Sequence, residues 1–329
     1  MALLTRKRVI AVLKESTAGT YNAPQAANCL LVRDLSITPQ ESDVVSRDLV
    51  RPYFGASEQL QANTRVSCTF SVEMAGVGAG VDADLAPNYG ECIEACGFTG
   101  ESTDDAKHLF IPNSTVATTV SILYNIDGVQ HTVKGAKGSF SITCGVGEIP
   151  TIDFTFTGVY IAPSDATALT PSYNKQADPV LFDNGNTTNF KIFGETGLQM
   201  SSFSLDIGNE VVYRELVGGS PEVLITNRNI TGSVTVEAVN LASGGSQQWN
   251  PFAAALADGT LGEISFTHGT TTLNKVTIQS GLVASQTTKD RCDLGAISYG
   301  EEDGIAMWEV PYTMIPTTAG NDELSLIFE

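Results

Sequence analysis

Histidine, cysteine and clustered carboxylate side chains have the most chemistry available to them in this chain of 329 residues. The three histidines, His108, His131 and His268, stand far apart and outside any two-histidine zinc motif. The sequence has neither a serine-centred nucleophile elbow nor a Walker phosphate loop. We therefore predict that the protein is not an enzyme and has no catalytic residues.

Two acidic or glycine-rich segments resemble ligand sites only in part. Residues 76–80 read GVGAG, which lacks the third glycine of a dinucleotide loop and runs into an acidic loop instead of a phosphate-binding helix. The nearby acidic residues are Asp82, Asp84, Asp104 and Asp105. Their spacing does not match a calcium loop. We interpret the glycine segment as a flexible turn and predict neither a cofactor nor a metal.

The six cysteines do not have the spacing of a compact disulfide framework; they are Cys29, Cys68, Cys92, Cys96, Cys144 and Cys292. Cys68 and Cys144 fall on the apolar face of alternating segments, so we predict reduced thiols in the core. Cys92 and Cys96 are four residues apart on a predicted helix. A metal site there would need two further ligands, and none stands at suitable spacing, so we predict core residues here too.

The overall composition favours a globular β protein that does not grip nucleic acid. Apolar residues make up 42% of the chain and charged residues 17%, and abundant glycine with Thr, Ser and Val favours short strands and tight turns. The net charge of −19 repels phosphate. We find no signal peptide and no apolar stretch of the ~20 residues that a membrane span needs. We expect assembly in a cytoplasm.

Polar and apolar residues alternate in several segments, which predicts one-sided strands in antiparallel sheets. The polar positions in the two clearest segments are Arg65, Ser67, Thr69, Ser71 and Glu73, and Thr231, Ser233, Thr235 and Glu237. Residues 139–144 and 151–157 alternate in the same way, and Asp127-Gly128 marks a hairpin turn. Such hydroxyl-rich faces suit strands paired with another subunit, or they reflect only the strand preference of threonine.

The chain contains an internal repeat. VVSRDLV at 44–50 recurs as VVYRELV at 211–217, and RVSCTFSVEMA at 65–75 aligns with NITGSVTVEAV at 229–239. A helical segment follows each second match; these segments are 86–98 and 247–259. We predict an all-β fold with a minor helix in each of two tandem β-sandwich domains. The predicted boundaries are an N-terminal arm at 1–28, a first domain at 29–165, a linker at 166–194 and a second domain at 195–329.

Several motifs resemble the tail tube proteins of siphophages. They are GAKGSFSITCGVGEIPTIDFTFTG at 135–158, LYNIDG at 123–128, and LLVRDLSITP at 30–39. The resemblance implies a β-sandwich with a flanking helix, whose strands join those of other subunits in a barrel around the tail lumen. Most family members carry one such domain and form hexameric rings. Two domains in one chain therefore imply a trimeric ring with pseudo-sixfold symmetry.

The resemblance also implies a function and partners. The function is to stack as rings into the conduit for phage DNA ejection into the host. The partners are other copies of the chain, the tape-measure protein, transient double-stranded DNA, and the tail tip and tail terminator proteins, without a membrane. The location is the virion tail, assembled in the bacterial host cytoplasm. About 24 strands at ~4.8 Å spacing would enclose a bore of roughly 40 Å.

The lumen-facing candidates are Ser67, Thr69, Ser71, Glu73, Thr231, Ser233, Thr235 and Glu237. Their short hydroxyls offer phosphate little to bind, and the glutamates repel it. Arg65 either pairs with a nearby acid or indicates that this face is not the lumen. The ring-contact candidates are Arg47, Asp48, Arg214 and Glu215, which either meet the next ring, pair locally or face water. The alternative functions are another all-β virion protein, such as a tail terminator or neck component, or a receptor-binding β-sandwich.

Overall fold

The computed structural model describes the whole chain except residues 1–2, 79–85, 104–106, 116–117, 174, 176, 242–248 and 283–288. Several predicted features lie outside the described residues. They are the four acidic residues Asp82, Asp84, Asp104 and Asp105, the end of the 76–80 segment and the start of the 247–259 helical segment.

The described residues form twenty strands and two short α-helices. The strands are β1 (Arg8–Lys14), β2 (Arg33–Ser46), β3 (Gln59–Glu73), β4 (Phe98–Thr103), β5 (Lys107–Pro112), β6 (Val120–Ile126), β7 (Val129–Gly145), β8 (Thr151–Tyr160), β9 (Ser164–Asp165), β10 (Thr187–Ile192), β11 (Met200–Asp206), β12 (Glu210–Arg214), β13 (Glu222–Asn227), β14 (Thr231–Glu237), β15 (Ile264–His268), β16 (Val276–Ser280), β17 (Cys292–Leu294), β18 (Ser298–Glu302), β19 (Ile305–Met314) and β20 (Leu324–Phe328). The helices are α1 (Gly90–Ala95) and α2 (Pro251–Leu256), and a 3-10 turn spans Ala26–Asn28.

Two antiparallel sheets and one separate hairpin contain all these strands. The larger sheet has twelve strands, with the path β17-β19-β14-β11-β7-β8-β3-β2; β18 pairs with β19, β6 and β9 pair with β7, and β1 pairs with β6. The second sheet has the order β10-β15-β16-β20-β5-β4, and β12 pairs with β13. The predicted all-β fold is confirmed.

The long strand β7 is the branch point of the large sheet. One edge of β7 pairs with β8 along most of its length. The other edge is divided: residues 141–145 pair with β11, whereas residues 129–136 pair with β6. The sheet therefore continues from β7 in two directions, toward β14 and β19 on one side and toward β1 on the other.

The core lies between the two sheets. Phe98 of β4 packs on Phe140 of β7 with ring centroids 5.4 Å apart, and Phe203 of β11 packs on Phe266 of β15 at 4.8 Å. Each such fully buried ring contributes about 1.5–3 kcal/mol of hydrophobic free energy. The apolar faces predicted for β3, β7, β8 and β14 are buried, including Cys68.

The two halves of the chain share this core, because β4 and β5 lie in one sheet with β10, β15, β16 and β20. Residues 8–14, which belong to the predicted N-terminal arm, form β1, and the centre of this strand is buried. Residues 187–192 of the predicted linker pair with β15 as β10. A long sequence segment without clear periodicity can thus still supply a strand when a partner edge is available.

Tight turns close two hairpins with the same residue pair. The predicted turn at Asp127-Gly128 joins β6 to β7, and both residues have positive φ, 45° and 102°. Asp303-Gly304 joins β18 to β19 with φ of 53° and 81°. These angles suit the two-residue turns that match the twist of antiparallel strands, so the Asp-Gly prediction at 127–128 is confirmed.

Glu15 attaches the segment after β1 to the large sheet. Its buried carboxylate accepts hydrogen bonds from the Thr119 and Ser121 hydroxyls at 2.6 and 2.8 Å. The backbone N–H groups of Gly19 and Gly135 donate to it as well, at 2.7 and 2.8 Å. Four donors satisfy a carboxylate that is almost without solvent, which makes its burial tolerable.

Replacing Glu15 with alanine is expected to lower the free energy of unfolding by about 3 kcal/mol, because four donors lose their acceptor. Denaturant titration of the unassembled protein, followed by circular dichroism, measures this loss. Glu58→Ala is the control, since Glu58 is a surface residue and its removal should change stability by no more than about 0.5 kcal/mol. Equal losses in the two variants would contradict the anchoring role of Glu15.

Candidate functional site

One face of the large sheet, opposite the core, is polar. The eight predicted lumen residues lie on this face, four on β3 and four on β14, and all are half-buried; they are Ser67, Thr69, Ser71 and Glu73, and Thr231, Ser233, Thr235 and Glu237. They alternate with buried apolar residues because successive side chains of a strand point to opposite faces. We call this surface the polar face.

The strand register makes the polar face continuous between β14 and β3. Thr231 lies opposite Asp206, and Asp206 lies opposite Ser141. Ser141 lies opposite Asp153, which in turn lies opposite Ser71. At ~4.8 Å per strand, this row of five side chains extends for about 19 Å. The two sets of predicted residues therefore belong to one surface.

The strand β11 adds residues to the polar face that the sequence prediction missed. They are Ser202, Ser204 and Asp206, which stand between β14 and β7 in the register. The sequence of β11, MSSFSLD, alternates like the predicted strands, so the signal was present. Asp153 and Thr155 of β8 continue the face on the other side. Hydroxyl and carboxylate groups thus dominate the surface.

The predicted exception on this face, Arg65, pairs with acids. Its guanidinium lies 2.7 Å from Glu41 and 3.2 Å from Asp43. The hydrogen bonds that Arg65 donates to Glu41 and, with a smaller effect, to Asp43 raise the pKa of Arg65. Hydrogen bonds from Asn63 and Arg65 lower the pKa of Asp43. The first of the two interpretations, a local acid partner, is confirmed.

The two predicted lumen glutamates differ in their surroundings. Glu73 has Arg33 of β2 at 3.7 Å, a long contact between two partly exposed side chains. Within the described part of the chain, Glu237 forms no ion pair, and it lines a shallow surface pocket together with Met200 and Glu302. The carboxylate of Glu237 is thus the less compensated of the two.

The strands β2 and β3 form a hairpin that extends beyond the rest of the sheet. Its tip spans residues 47–58, and the side chains of Val50 and Phe54 there are fully exposed. The shorter hairpin β12–β13 has an exposed tip as well, with Leu216 and Val217. Exposed large apolar side chains clustered at a tip are typical of surfaces that contact another protein.

The predicted contact residues of the first hairpin pair within it. The Arg47 guanidinium lies 3.1 Å from the Glu58 carboxylate on the opposite arm of the hairpin. Arg47 therefore forms its ion pair with Glu58 and not with Asp48. Asp48 accepts a hydrogen bond from the Ser46 hydroxyl at 3.1 Å. Both members of the ion pair are exposed, so the pair contributes little to stability.

The second hairpin repeats this arrangement. Arg214 donates from Nε to Glu222 on the opposite arm at 3.0 Å, and its Nη2 contacts the same oxygen. Glu215 accepts a hydrogen bond from the Tyr213 hydroxyl at 3.3 Å. In both hairpins the arginine forms an ion pair with an acid on the opposite arm. The acid that follows the arginine in the sequence accepts a hydrogen bond from a hydroxyl group.

The β12–β13 hairpin lies against β7. Asn209, just before β12, donates from Nδ2 to the carbonyl oxygens of Cys96 at 2.7 Å and Gly138 at 3.0 Å. Its backbone N–H donates to the Ser139 hydroxyl at 3.2 Å. Burial lowers the pKa of Lys137 on β7, whereas Glu222 of the hairpin acts in the opposite direction. The second hairpin therefore packs on its own chain.

Within the described residues, β2 and β18 are among the strands of the large sheet that have an unpaired edge. β2 pairs only with β3, and β18 pairs only with β19. Exposed strand edges carry unpaired N–H and C=O groups and accept a further strand readily. The guanidinium of Arg8 lies at the β2 end, where it donates to the carbonyl oxygen of Leu35 at 2.9 Å.

The cysteines and the histidines His108 and His268 lie in surroundings that are typical of residues with a structural role. All six cysteines are buried free thiols, and burial raises the pKa of Cys68 and of Cys292 to about 12. His268 is buried, and its Nδ1 lies 3.2 Å from the Thr187 hydroxyl oxygen. Burial lowers the pKa of His268. His108 packs on Phe110 with ring centroids 4.6 Å apart. Among the described residues, no three His, Cys, Asp or Glu side chains are grouped as metal ligands.

Comparison with known proteins identifies the family. None of the described helices combines the length and apolarity needed to cross a bilayer. A search of curated proteins finds no match. A family model for the phage tail tube protein matches residues 5–319, nearly the whole chain. With its all-β fold and hydroxyl-rich sheet face, this chain belongs to the phage tail tube protein family, whose members are structural proteins of the virion tail.

Proposed function

We propose that this protein is the major tail tube subunit of a siphophage, with two tandem tube domains in one chain. Three chains form a pseudo-sixfold ring, and stacked rings form the conduit for DNA ejection. The observation that supports the proposal is the ladder between β11 and β7. It joins two runs of strands, β2-β3-β8-β7 and β11-β14-β19 with β18, into one sheet.

The two runs have corresponding pairings. β3 pairs with β8 through Ser71 opposite Asp153, and β14 pairs with β19 through Thr235 opposite Glu309. Ser71 and Thr235 are aligned positions of the sequence repeat. A short helix follows the corresponding strand in each half of the chain: α1 follows β3, and α2 follows β14. These correspondences support the two-domain organisation, with domains at 29–165 and 195–329.

The runs are joined head to tail, which favours a ring. The last strand of one run, β7, pairs with the first strand of the other, β11, and the outer edges of β2 and β18 have no partner among the described strands. A heterologous contact of this kind closes into a ring when the rotation between units allows it. Three chains, each with the eight strands of these two runs, would supply about 24 strands and a bore of roughly 40 Å, wide enough for a DNA duplex.

The polar face lines the lumen in this proposal. Short hydroxyls bind phosphate weakly, and Glu73, Asp153, Asp206 and Glu237 add negative charge to the same face. Together with a net charge of −19, these groups repel DNA, so that DNA passes without adhering. The tape-measure protein occupies the same lumen before ejection.

The exposed hairpin tips contact the next ring, with Arg47, Asp48, Arg214 and Glu215 at their bases. The tail tip and tail terminator proteins meet the two ends of the stack. Assembly takes place in the bacterial host cytoplasm. Reduced thiols at all six cysteines fit such a compartment.

Electron microscopy of the purified protein at high concentration tests the proposed function. We expect hollow tubes whose end-on averages show threefold rings with six lobes. Sixfold rings of twelve lobes would retain the tube function and contradict the trimer. Single rings that never stack would indicate a tail terminator, and compact oligomers that adhere to cells would indicate a receptor-binding protein.

Replacing Glu73 and Glu237 with lysine is expected to slow DNA ejection, because two cations per chain on the polar face attract phosphate. Ejection kinetics from phage that carry the double variant measure the effect. The control is Glu101→Lys with Asp258→Lys, which makes the same charge change at exposed positions off the polar face. Equal ejection rates in the two double variants would remove Glu73 and Glu237 from the lumen.

Replacing Val50 and Phe54 with aspartate is expected to leave rings intact but to prevent their stacking, because charged tips cannot bury against the next ring. Sedimentation and negative-stain images distinguish rings from tubes. Leu256→Asp on α2 is the control, since Leu256 is 85% exposed and lies outside the hairpins. Tubes of normal length in the Val50 and Phe54 variant would exclude the tip from the stacking contact.

A further inference from the structure

The structure assigns a specific register to the contact between neighbouring chains. We propose that β2 of one chain pairs antiparallel with β18 of the next, with Thr38 opposite Ser298, Ile37 opposite Tyr299 and Ser36 opposite Gly300. The inference rests on the proposed ring. Its basis is the β11–β7 ladder, which already joins two equivalent strands inside one chain.

The first step is the equivalence of β2 and β11. Ser36 of β2 lies opposite Thr69 of β3. Ser204 of β11 lies opposite Ser233 of β14. Thr69 and Ser233 are aligned positions of the sequence repeat, so Ser36 corresponds to Ser204. By the same argument Thr38, opposite Ser67, corresponds to Asp206, opposite Thr231.

The second step is the equivalence of β18 and the end of β7. Ser141 of β7 lies opposite Asp153, and Ser298 of β18 lies opposite Glu309. Asp153 and Glu309 correspond, because they pair with the aligned residues of β3 and β14. Ser298 therefore corresponds to Ser141, and Gly300 corresponds to Thr143.

The third step transfers the known ladder to the free edges. Asp206 lies opposite Ser141 and Ser204 lies opposite Thr143 within the chain. Substituting the equivalent residues places Thr38 opposite Ser298 in the neighbouring chain. The ladder would end at Pro39, which has no N–H group to donate and follows Thr38 directly.

The apolar side of the two edges fits the same register. In the internal ladder Leu205 lies opposite Ile142, and each is 1% exposed. Their counterparts at the free edges are Ile37, which is half-buried, and Tyr299, which is 62% exposed. A neighbouring β2 strand would cover Tyr299 as Leu205 covers Ile142. The exposure of Tyr299 thus indicates a strand that the single chain does not supply.

The charges of the two edges are complementary. Arg33 and Arg8 lie at the start of β2, and the exposed Glu301, Glu302 and Asp303 lie at the end of β18. The bulge in β2 between Arg33 and Ser36 gives Arg33, rather than Asp34, the position equivalent to Ser202, and this places Arg33 beside Glu302. Within the chain Glu302 accepts only a hydroxyl hydrogen bond from Ser201, at 2.6 Å, among its described contacts. A second copy of this chain supplies the cation that this acidic end matches.

Cysteine cross-linking of the assembled protein tests the register. In the double variant Thr38→Cys with Ser298→Cys, mild oxidation is expected to give covalent dimers and trimers on denaturing gels without reductant, and nothing larger. The six natural cysteines are buried and should not interfere. Ser36→Cys with Ser298→Cys is the control, because a shift of two residues separates the Cα atoms by about 7–8 Å, too far for an unstrained disulfide.

The outcomes separate the register from the function. Tubes that cross-link only in the Ser36 and Ser298 variant would overturn the register, and tubes that cross-link in neither variant would overturn the β2–β18 contact; both would leave the tube function standing. Protein that forms neither rings nor tubes in its natural sequence would overturn the proposed function itself.

Should the cysteine variants not assemble, a charge reversal tests the contact instead. Arg33→Glu is expected to abolish ring formation, and adding Glu302→Arg is expected to restore it. Failure of this rescue would overturn the charge pairing.

Discussion

The ladder between β7 and β11 is the contact on which the rest of the molecule depends. It gives β7 two neighbours on the same edge, because β6 pairs with residues 129–136 and β11 with residues 141–145. Through this ladder the first and second halves of the chain share one sheet. Without it, the polar face would be two separate surfaces, and β11 and residues 141–145 of β7 would each have an unpaired edge.

The same ladder explains why the core is shared. Once β11 is fixed beside β7, Phe203 points into the space between the two sheets and packs on Phe266 at 4.8 Å. The six-stranded sheet then takes strands from both halves to cover that space. A separate core for each half would need twice the covering layer, and the smaller domains would bury a smaller fraction of their surface.

Local patterns in the sequence were sufficient to predict the strands, but not their partners. The alternation around Phe70, the turn at Asp127-Gly128 and the helix that contains Cys92 all depend on residues close together in the chain, and the structure has all three. The placement of β1 and β10 depends on edges more than 70 residues away, and side-chain periodicity carries no information about those edges. The hydrogen-bond network around Glu15 could not be predicted from the sequence for the same reason.

The candidate site shows the same division. The polar face could be predicted on β3 and β14, since a period of two fixes which side chains share a face. Its continuity through Asp206 and Asp153 could not, because strand order is a long-range property. The acids that pair with Arg47 and Arg214 within the chain could not be predicted either, because they lie across the hairpin from each arginine. In each hairpin the closing turn brings an acid from the opposite arm nearer.

The unequal lengths of the two hairpins have a consequence for symmetry. β2 and β3 have 14 and 15 residues, whereas β12 and β13 have 5 and 6, and only the longer hairpin extends away from its own chain. In the proposed ring of three chains, long and short projections would alternate around the rim. A second ring would fit such a rim in three rotational settings rather than six, so each ring would fix the rotation of the ring stacked on it. The proposed tail would then have threefold rather than sixfold symmetry along its whole length.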